Sequence, residues 1–474
     1  MRDALRELLR SPRQHAATLL VVTVAALFGT LLIGGTAILS NVVLANEAFA
    51  GSGTVIVLLG LVAAVFFGIA LFVASLTVSN TFSIVVAGRT GRLALLRLIG
   101  ASARRLRRSI AAEGLLVGAL GAVLGTLAGA GLCLAAAGWA ERAGAGEGLS
   151  AGVVSGWLIW PGLLTALTAW WAAHAGARPV LTVSPLEATR RSAEPALKAV
   201  RARRGVLALS VAATVAGAVL LAGGTLLGSF TPLGVLPALL GGILSFTGLA
   251  LGAGWVMPAV FRVASLLLAR GTAGRLAAAG IRRHPLRSAR TSMGLVIGVT
   301  LVVMFATAGE TFRVTMRRLL EGAGADPSAM AELTRGIDGV LLFLYAMLLF
   351  SVVIAAIGVA NSMRATIMQR SRELALLRVT GLSRRQMWRM IGGEAAHLTV
   401  AAALLAIPLG VLYGWCGVLS MLWSLAGVGF LWPAVPWTVL AAVVAGCAAI
   451  TLAATVLPAR RAAAVPPARA LAVA

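Results

Sequence analysis

The side chains able to do chemistry are few and poorly placed for it. Three cysteines, Cys133, Cys416 and Cys447, each fall inside an apolar run, so neither a disulfide framework nor a metal spacing is legible. Four histidines, His15, His174, His284 and His397, stand at run edges with no carboxylate or second histidine at ligand spacing, which argues against a metal or catalytic role. A phosphate-binding loop needs a lysine behind its glycines; the sole lysine is Lys198, in PALKAVRARR, and no GxxxxGK[ST] occurs. The chain is therefore expected not to be an enzyme, with no catalytic, cofactor-binding or metal-ligating residues of its own. Glu113 and Glu394, each opening an apolar run just past an arginine cluster, read as partners for Arg108 or Arg389, or as charges at helix starts.

The composition explains what the missing chemistry leaves room for. Of 474 residues 59% are hydrophobic and 12% charged, and the mean hydropathy of +0.96 lies outside the range of soluble domains. A formal charge of +25 would suggest nucleic acid in a soluble protein, but here the arginines gather in short segments between apolar runs, so no nucleic-acid partner is expected. Since about 20 apolar residues in a helix cross a bilayer, the sequence predicts an all-α polytopic membrane protein with ten spans. They lie near 16–39, 54–86, 111–138, 155–177, 205–228, 234–261, 291–309, 337–363, 392–420 and 434–457. The first run is too long for a signal peptide and reads as an uncleaved span. The second is long enough to emerge as a stalk around Ser79, Asn80 and Thr81, or else to cross steeply tilted.

Connections alternate sharply in charge. Of the 40 Lys and Arg residues, 35 fall in the two tails and in the 2–3, 4–5, 6–7 and 8–9 connections, leaving Arg142, Arg313, Arg317, Arg318 and Arg335 on the other side. The positive-inside rule then puts both termini in the cytoplasm. Outside the membrane, Ser40 to Gly53 and Glu310 to Gly336 are too short for a large extracellular domain.

An internal repeat organises the chain. A shift of 281 residues aligns Asn80 with Asn361, Arg89 with Arg370, LALLR at Leu93–Arg97 with LALLR at Leu374–Arg378, Gly100 with Gly381, Ser102 with Ser383, and Glu113 with Glu394. It also aligns Gly121, Gly125 and Gly129 with Ala402, Ala406 and Gly410, small residues spaced by four that let helix backbones approach. The entry to each half is alike too, around Pro12 and Pro285. The organisation expected is four spans over 1–190, a central two-span insert over 191–270, and four spans over 271–474. In the second copy Leu374, Ala375 and Leu377 share one side of a short helix, with Arg372, Glu373 and Arg378 opposite. Gly381 permits the left-handed turn that ends it, and Ser383 can cap the next helix. The arginines read either as topology signals against anionic lipid or as part of a docking surface; the first reading leaves LALLR plus glycine at one fixed spacing unexplained.

The segment NSMRATIMQRSRELALLRVTGLSRRQMWRMIGGEA, its first-half copy, and the tail VLPARRAAAVPPARAL resemble the FtsX-like permeases, the MacB-type membrane subunits of ABC transporters. The resemblance covers both four-span modules and implies that Arg89, Leu93, Leu96, Arg97 and Gly100, with Arg370, Arg372, Glu373, Leu374, Leu377, Arg378 and Gly381, form coupling helices against an ATPase. Arg92 stands where the second copy has Glu373, so the two docking sites are not equivalent. It further implies two MacB-type ATPase subunits as partners, with ATP and Mg bound by them and no cofactor in this chain. Membrane lipids are the other expected partner, and an extracytoplasmic one is left open. The function expected is an ABC permease that exports or extracts an amphipathic or lipid-like compound, an antibiotic or peptide among them. The alternative is an ATP-driven signalling complex acting on a cell-wall enzyme or sensor without transport. An ion-driven carrier is disfavoured because Asp and Glu avoid mid-span positions. The abundance of Arg, Ala and Gly with one Lys suggests a GC-rich bacterial genome, and the location expected is the bacterial cytoplasmic membrane.

Overall fold

The computed structural model describes residues 12–44, 95–142, 158–177, 204–269, 271–283, 285–322, 383–424 and 430–449, together with positions 68, 71, 75, 78, 379 and 381. Among these every regular element is helical. The spans expected near 54–86 and 337–363 lie essentially outside the described residues. Among the described residues, six helices are long and apolar enough to cross a membrane. The chain divides into two compact units, Met1–Ala193 and Glu194–Ala474.

The first unit is built from α1 (Pro12–Leu44), α2 (Ala103–Arg142) and α3 (Ile159–Gly176). Pro12 opens α1 with its φ already helical and no N–H to leave unpaired. At 40 residues, α2 is about 60 Å long, twice the hydrocarbon thickness, so it projects well past a bilayer. α2 packs against both α1 and α3. Hydroxyls inside these helices bond back one turn, Thr30 Oγ1 to Ala26 O at 2.9 Å and Thr165 Oγ1 to Pro161 O at 2.6 Å, so they bring few orphaned donors into an apolar setting.

The second unit begins with α4 (Arg204–Leu227) and α5 (Val235–Leu251), a hairpin turned by a 3-10 segment over Pro232–Gly234. Thr231 caps that turn by accepting from Leu233 N. α6 (Ala253–Leu268) and α7 (Gly271–Arg283) follow, then α8 (Pro285–Gly322), α9 (Arg384–Leu422) and α10 (Trp437–Ala449). The sequence suggested one span over 234–261. The structure instead bends the path at Gly252, keeps the Gly252 N–H to Gly248 O bond, and carries helix on to Leu268. Arg262 ends the apolar run on paper, but its side chain is exposed and does not interrupt the helix. α8 is the core of this unit: 78% of its apolar window is buried, against 17% for α4, which leaves α4 as the peripheral helix.

The hairpin seats on α9. Ser245 Oγ and Tyr413 OH share a 2.9 Å hydrogen bond. Beside it, Leu221, Ala238 and Cys416 form an apolar cluster, and a Cβ on Gly228 would stand 2.5 Å from the Cα of Ser420. The glycine here is required by close approach. At its far end α9 packs Val418, Leu419 and Leu422 on Leu431, with Phe312 and Met316 of α8. Trp415 Nε1 donates to Leu431 O at 2.7 Å, and Thr311 Oγ1 accepts from Ala434 N at 3.1 Å.

Candidate docking and packing surfaces

Helical residues over 95–98 precede α2, and their ending is fixed by hydrogen bonds. Ala101 N donates to Leu96 O at 2.9 Å and Gly100 N to Arg97 O at 3.1 Å, the paired 6→1 and 5→2 bonds of a Schellman ending. Gly100 takes φ 99°, the left-handed region where a Cβ is penalised. Gly381 takes φ 98°. After each glycine a serine starts the next helix. Ser102 Oγ accepts from Arg105 N at 3.3 Å. Ser383 makes a complete capping box, accepting from Gln386 N while Gln386 Oε1 accepts from Ser383 N. A left-handed glycine followed by a serine cap thus recurs 281 residues apart in sequence, each time leading into a helix of about 40 residues.

Of the twelve coupling residues singled out in the sequence, Leu96, Arg97, Gly100 and Gly381 are described. Leu96 and Arg97 are half-buried and the two glycines exposed. Arg89, Leu93, Arg370, Arg372, Glu373, Leu374, Leu377 and Arg378 lie outside the described residues. The side chains that sequence reasoning did not single out are the apolar ones at the turn: Leu95, Leu98 and Ile99 are 62%, 54% and 74% exposed, and Val379, 281 residues after Leu98, is 62% exposed. Arg104, Arg105 and Arg108 surround the first turn, and Arg385 and Arg389 the second, all exposed. Exposed leucine and isoleucine on a rigid turn ringed by arginine form a surface suited to a partner with an apolar pocket and an acidic rim. Arg107 anchors the turn inward, its Nε donating to His174 O at 3.2 Å and so tying the start of α2 to the end of α3.

The other candidates are structural in their surroundings. Glu113 is buried and Glu394 half-buried. His397 is buried, with Nδ1 2.7 Å from Gly393 O and Nε2 without a partner. Cys133, Cys416 and Cys447 are buried, and none is joined in a disulfide. Among the described residues, no group of three His, Cys, Asp or Glu side chains could hold a metal ion.

The small-residue stripes stand at close helix contacts in both units. A Cβ on Gly121 would meet Val22 Cβ at 2.9 Å, and one on Gly129 would meet Thr30 Cβ at 2.8 Å and Leu27 O at 3.1 Å. One on Gly125 would strike Thr23 O and stand 2.7 Å from Ala26 Cβ. In the second unit Ala402 and Ala406 are buried, and a Cβ on Gly410 would meet Val303 Cβ at 2.7 Å and Thr300 O at 2.8 Å. Gly414 lies against Met304 O. The two contacts are the same one: in both, a glycine faces a β-branched side chain and the carbonyl three residues before it. The partner sides match only when Pro12 is set on Pro285, an offset of 273 rather than 281, because the second half carries eight more residues between its first helix and LALLR.

The FtsX-like permease C-terminal family matches the chain twice, over 64–176 and over 345–467, with starts separated by the same 281 residues. The chain is also similar to an uncharacterized ABC transporter permease protein of Mycobacterium tuberculosis, 25% identical over 125 residues. That stretch is 25% of this chain and 15% of the relative, so the chain spans only a small part of that protein. No solved structure matches the chain.

Proposed function

From a chain that carries the FtsX-like permease domain twice, we propose that it serves as the membrane-spanning permease subunit of an ABC transporter, with ATP bound and hydrolysed by separate MacB-type subunits. One ATPase docks at the turn around Gly100 and a second at the turn around Gly381. The observation that supports this most is the repetition of a left-handed glycine, a serine cap and a long helix at one spacing, with apolar side chains exposed beside the arginines.

A force applied at either turn acts on the base of α2 or α9, rods of 40 and 39 residues that extend beyond any bilayer. Closure of an ATPase pair would therefore displace the first helix of each module through the glycine contacts, where the backbones touch and no side chain can absorb the movement. The cargo class that fits is an amphipathic or lipid-like compound taken from the membrane itself. The runner-up use of the same motion is regulation of an extracytoplasmic partner. It is favoured by the aromatic knob at the end of α9, where Trp415, Trp423 and Trp432 pack edge-on around Phe430 and Trp432 stays 78% exposed.

Co-purification of the permease with its ATPase and native mass spectrometry tests the scheme. One permease with two ATPase chains is expected, and a single ATPase per permease overturns it. In proteoliposomes, ATPase stimulation by candidate lipids and peptides separates transport from regulation.

A further inference from the structure

We propose that α7 lies in the bilayer interface and binds the anionic headgroups of phospholipids. Gly271, at φ 74°, redirects the chain after α6 and starts a helix with two unlike faces. Ala277, Ala278 and Ile281 are buried. They sit against α9, where a Cβ on Gly393 would stand 3.3 Å from Ala277 Cβ. Away from this contact Arg275, Leu276, Arg282 and Arg283 are exposed. Arg275 and Arg282 are seven residues apart, as are Leu276 and Arg283, so they form two adjacent stripes on one side of the helix.

A solvated charged helix normally mixes signs, with carboxylates one turn from its cations. Here no Asp or Glu occurs anywhere from 195 to 309, while eleven Lys and Arg residues do. The stretch therefore supplies no counter-charge of its own. Apolar side chains lie beside this positive face: Leu266 and Leu267, ending α6, are 82% and 54% exposed, and Leu276 is 45% exposed between the arginines. Exposed leucines at the end of α6 and at Leu276, set beside the arginines of α7, match a headgroup layer with acyl chains beneath it better than they match water or an acidic protein face.

The reading is independent of ATPase docking and is tested on the full chain. Delipidated protein in neutral detergent is titrated with phosphatidylglycerol and with phosphatidylcholine, and adducts are counted by native mass spectrometry. One arginine at an anionic surface is worth roughly a fivefold change in affinity, so R275Q/R282Q/R283Q is expected to lose on the order of 100-fold for phosphatidylglycerol. Its phosphatidylcholine binding and thermal unfolding should not change. The control R317Q/R318Q, in exposed arginines at the other end of α8, should stay within about twofold. R275Q alone, a mild change suited to a triple variant that fails to fold, should lose about fivefold. Unchanged phosphatidylglycerol affinity in the triple variant, or in R275Q alone if the triple does not fold, overturns the proposal. So does retained lipid binding with lost ATPase association, which would make the face a protein-docking surface.

Discussion

Gly125→Ala tests whether the glycine contact holds the first module together. The added methyl carbon would stand 2.7 Å from Ala26 Cβ and 2.8 Å from Leu27 N, and closer still to Thr23 O. Carbon pairs rest at about 3.5 to 4.0 Å, so α1 and α2 must separate by roughly 1 Å. Two of the opposing atoms are backbone and cannot rotate away. Overpacking of this kind costs about 1–3 kcal/mol, and the rigid neighbours argue for the upper half of that range. Gly131 lies on the same helix with nothing within 4 Å of its would-be Cβ, so Gly131→Ala should be neutral or gain up to about 1 kcal/mol from helix propensity. The two variants should therefore differ by about 2–4 kcal/mol. Equilibrium unfolding in mixed micelles, followed by tryptophan fluorescence, reads this directly, and Gly410→Ala should repeat the loss in the second unit. Equal stability of Gly125→Ala and Gly131→Ala, within about 0.5 kcal/mol, would refute the reasoning.

Gly100→Ala and Gly381→Ala should each strain their turn by about 1–2 kcal/mol, because φ is 99° and 98° at these positions; weakened ATPase association in a pull-down, with the fold retained, is the expected result. Ser383→Ala removes the acceptor for Gln386 N and should cost about 1 kcal/mol at the start of α9, seen as faster amide exchange over 384–387. Tyr413→Phe deletes the bond to Ser245 and should cost about 0.6 kcal/mol, the average for interhelical bonds in membranes; a double-mutant cycle with Ser245→Ala should recover that coupling.

The turns were the most legible part of the chain. Gly381 and Ser383 announce a left-handed ending and a cap in one copy of a repeated segment, and local backbone chemistry decides both. The glycine stripe at 121, 125 and 129 is equally plain as a pattern, yet it does not say which helix it faces. That partner is set by residues about 100 positions away, and in the second half by an offset of 273 that the more obvious 281 conceals. α7 was hidden for another reason. Its buried face is mostly alanine, at Ala277 and Ala278, and in so apolar a chain alanine gives little contrast. The exposure of Leu95, Leu98 and Ile99 is a property of the packed chain and has no local sequence signal.

Duplication has kept one face of the long helices and changed the other. Toward the first helix of each module, glycine meets a β-branched side chain and a carbonyl in both units. On α9, the face that receives α4 and α5 uses Tyr413, Cys416 and Ser420, with Ser245 satisfying the tyrosine hydroxyl. The positions 281 residues earlier on α2 are Leu132, Ala135 and Trp139, all exposed. A tyrosine hydroxyl left there without a partner would be an unmet donor in hydrocarbon, whereas leucine and alanine lose nothing by facing lipid, and a tryptophan near a helix end suits the bilayer interface. The side-chain chemistry of the two faces thus records that only the second module must hold the central hairpin. Transplanting Tyr413 onto α2 would leave its hydroxyl without a partner, whereas a transplanted serine could bond back within the helix as Ser420 does to Gly417 O.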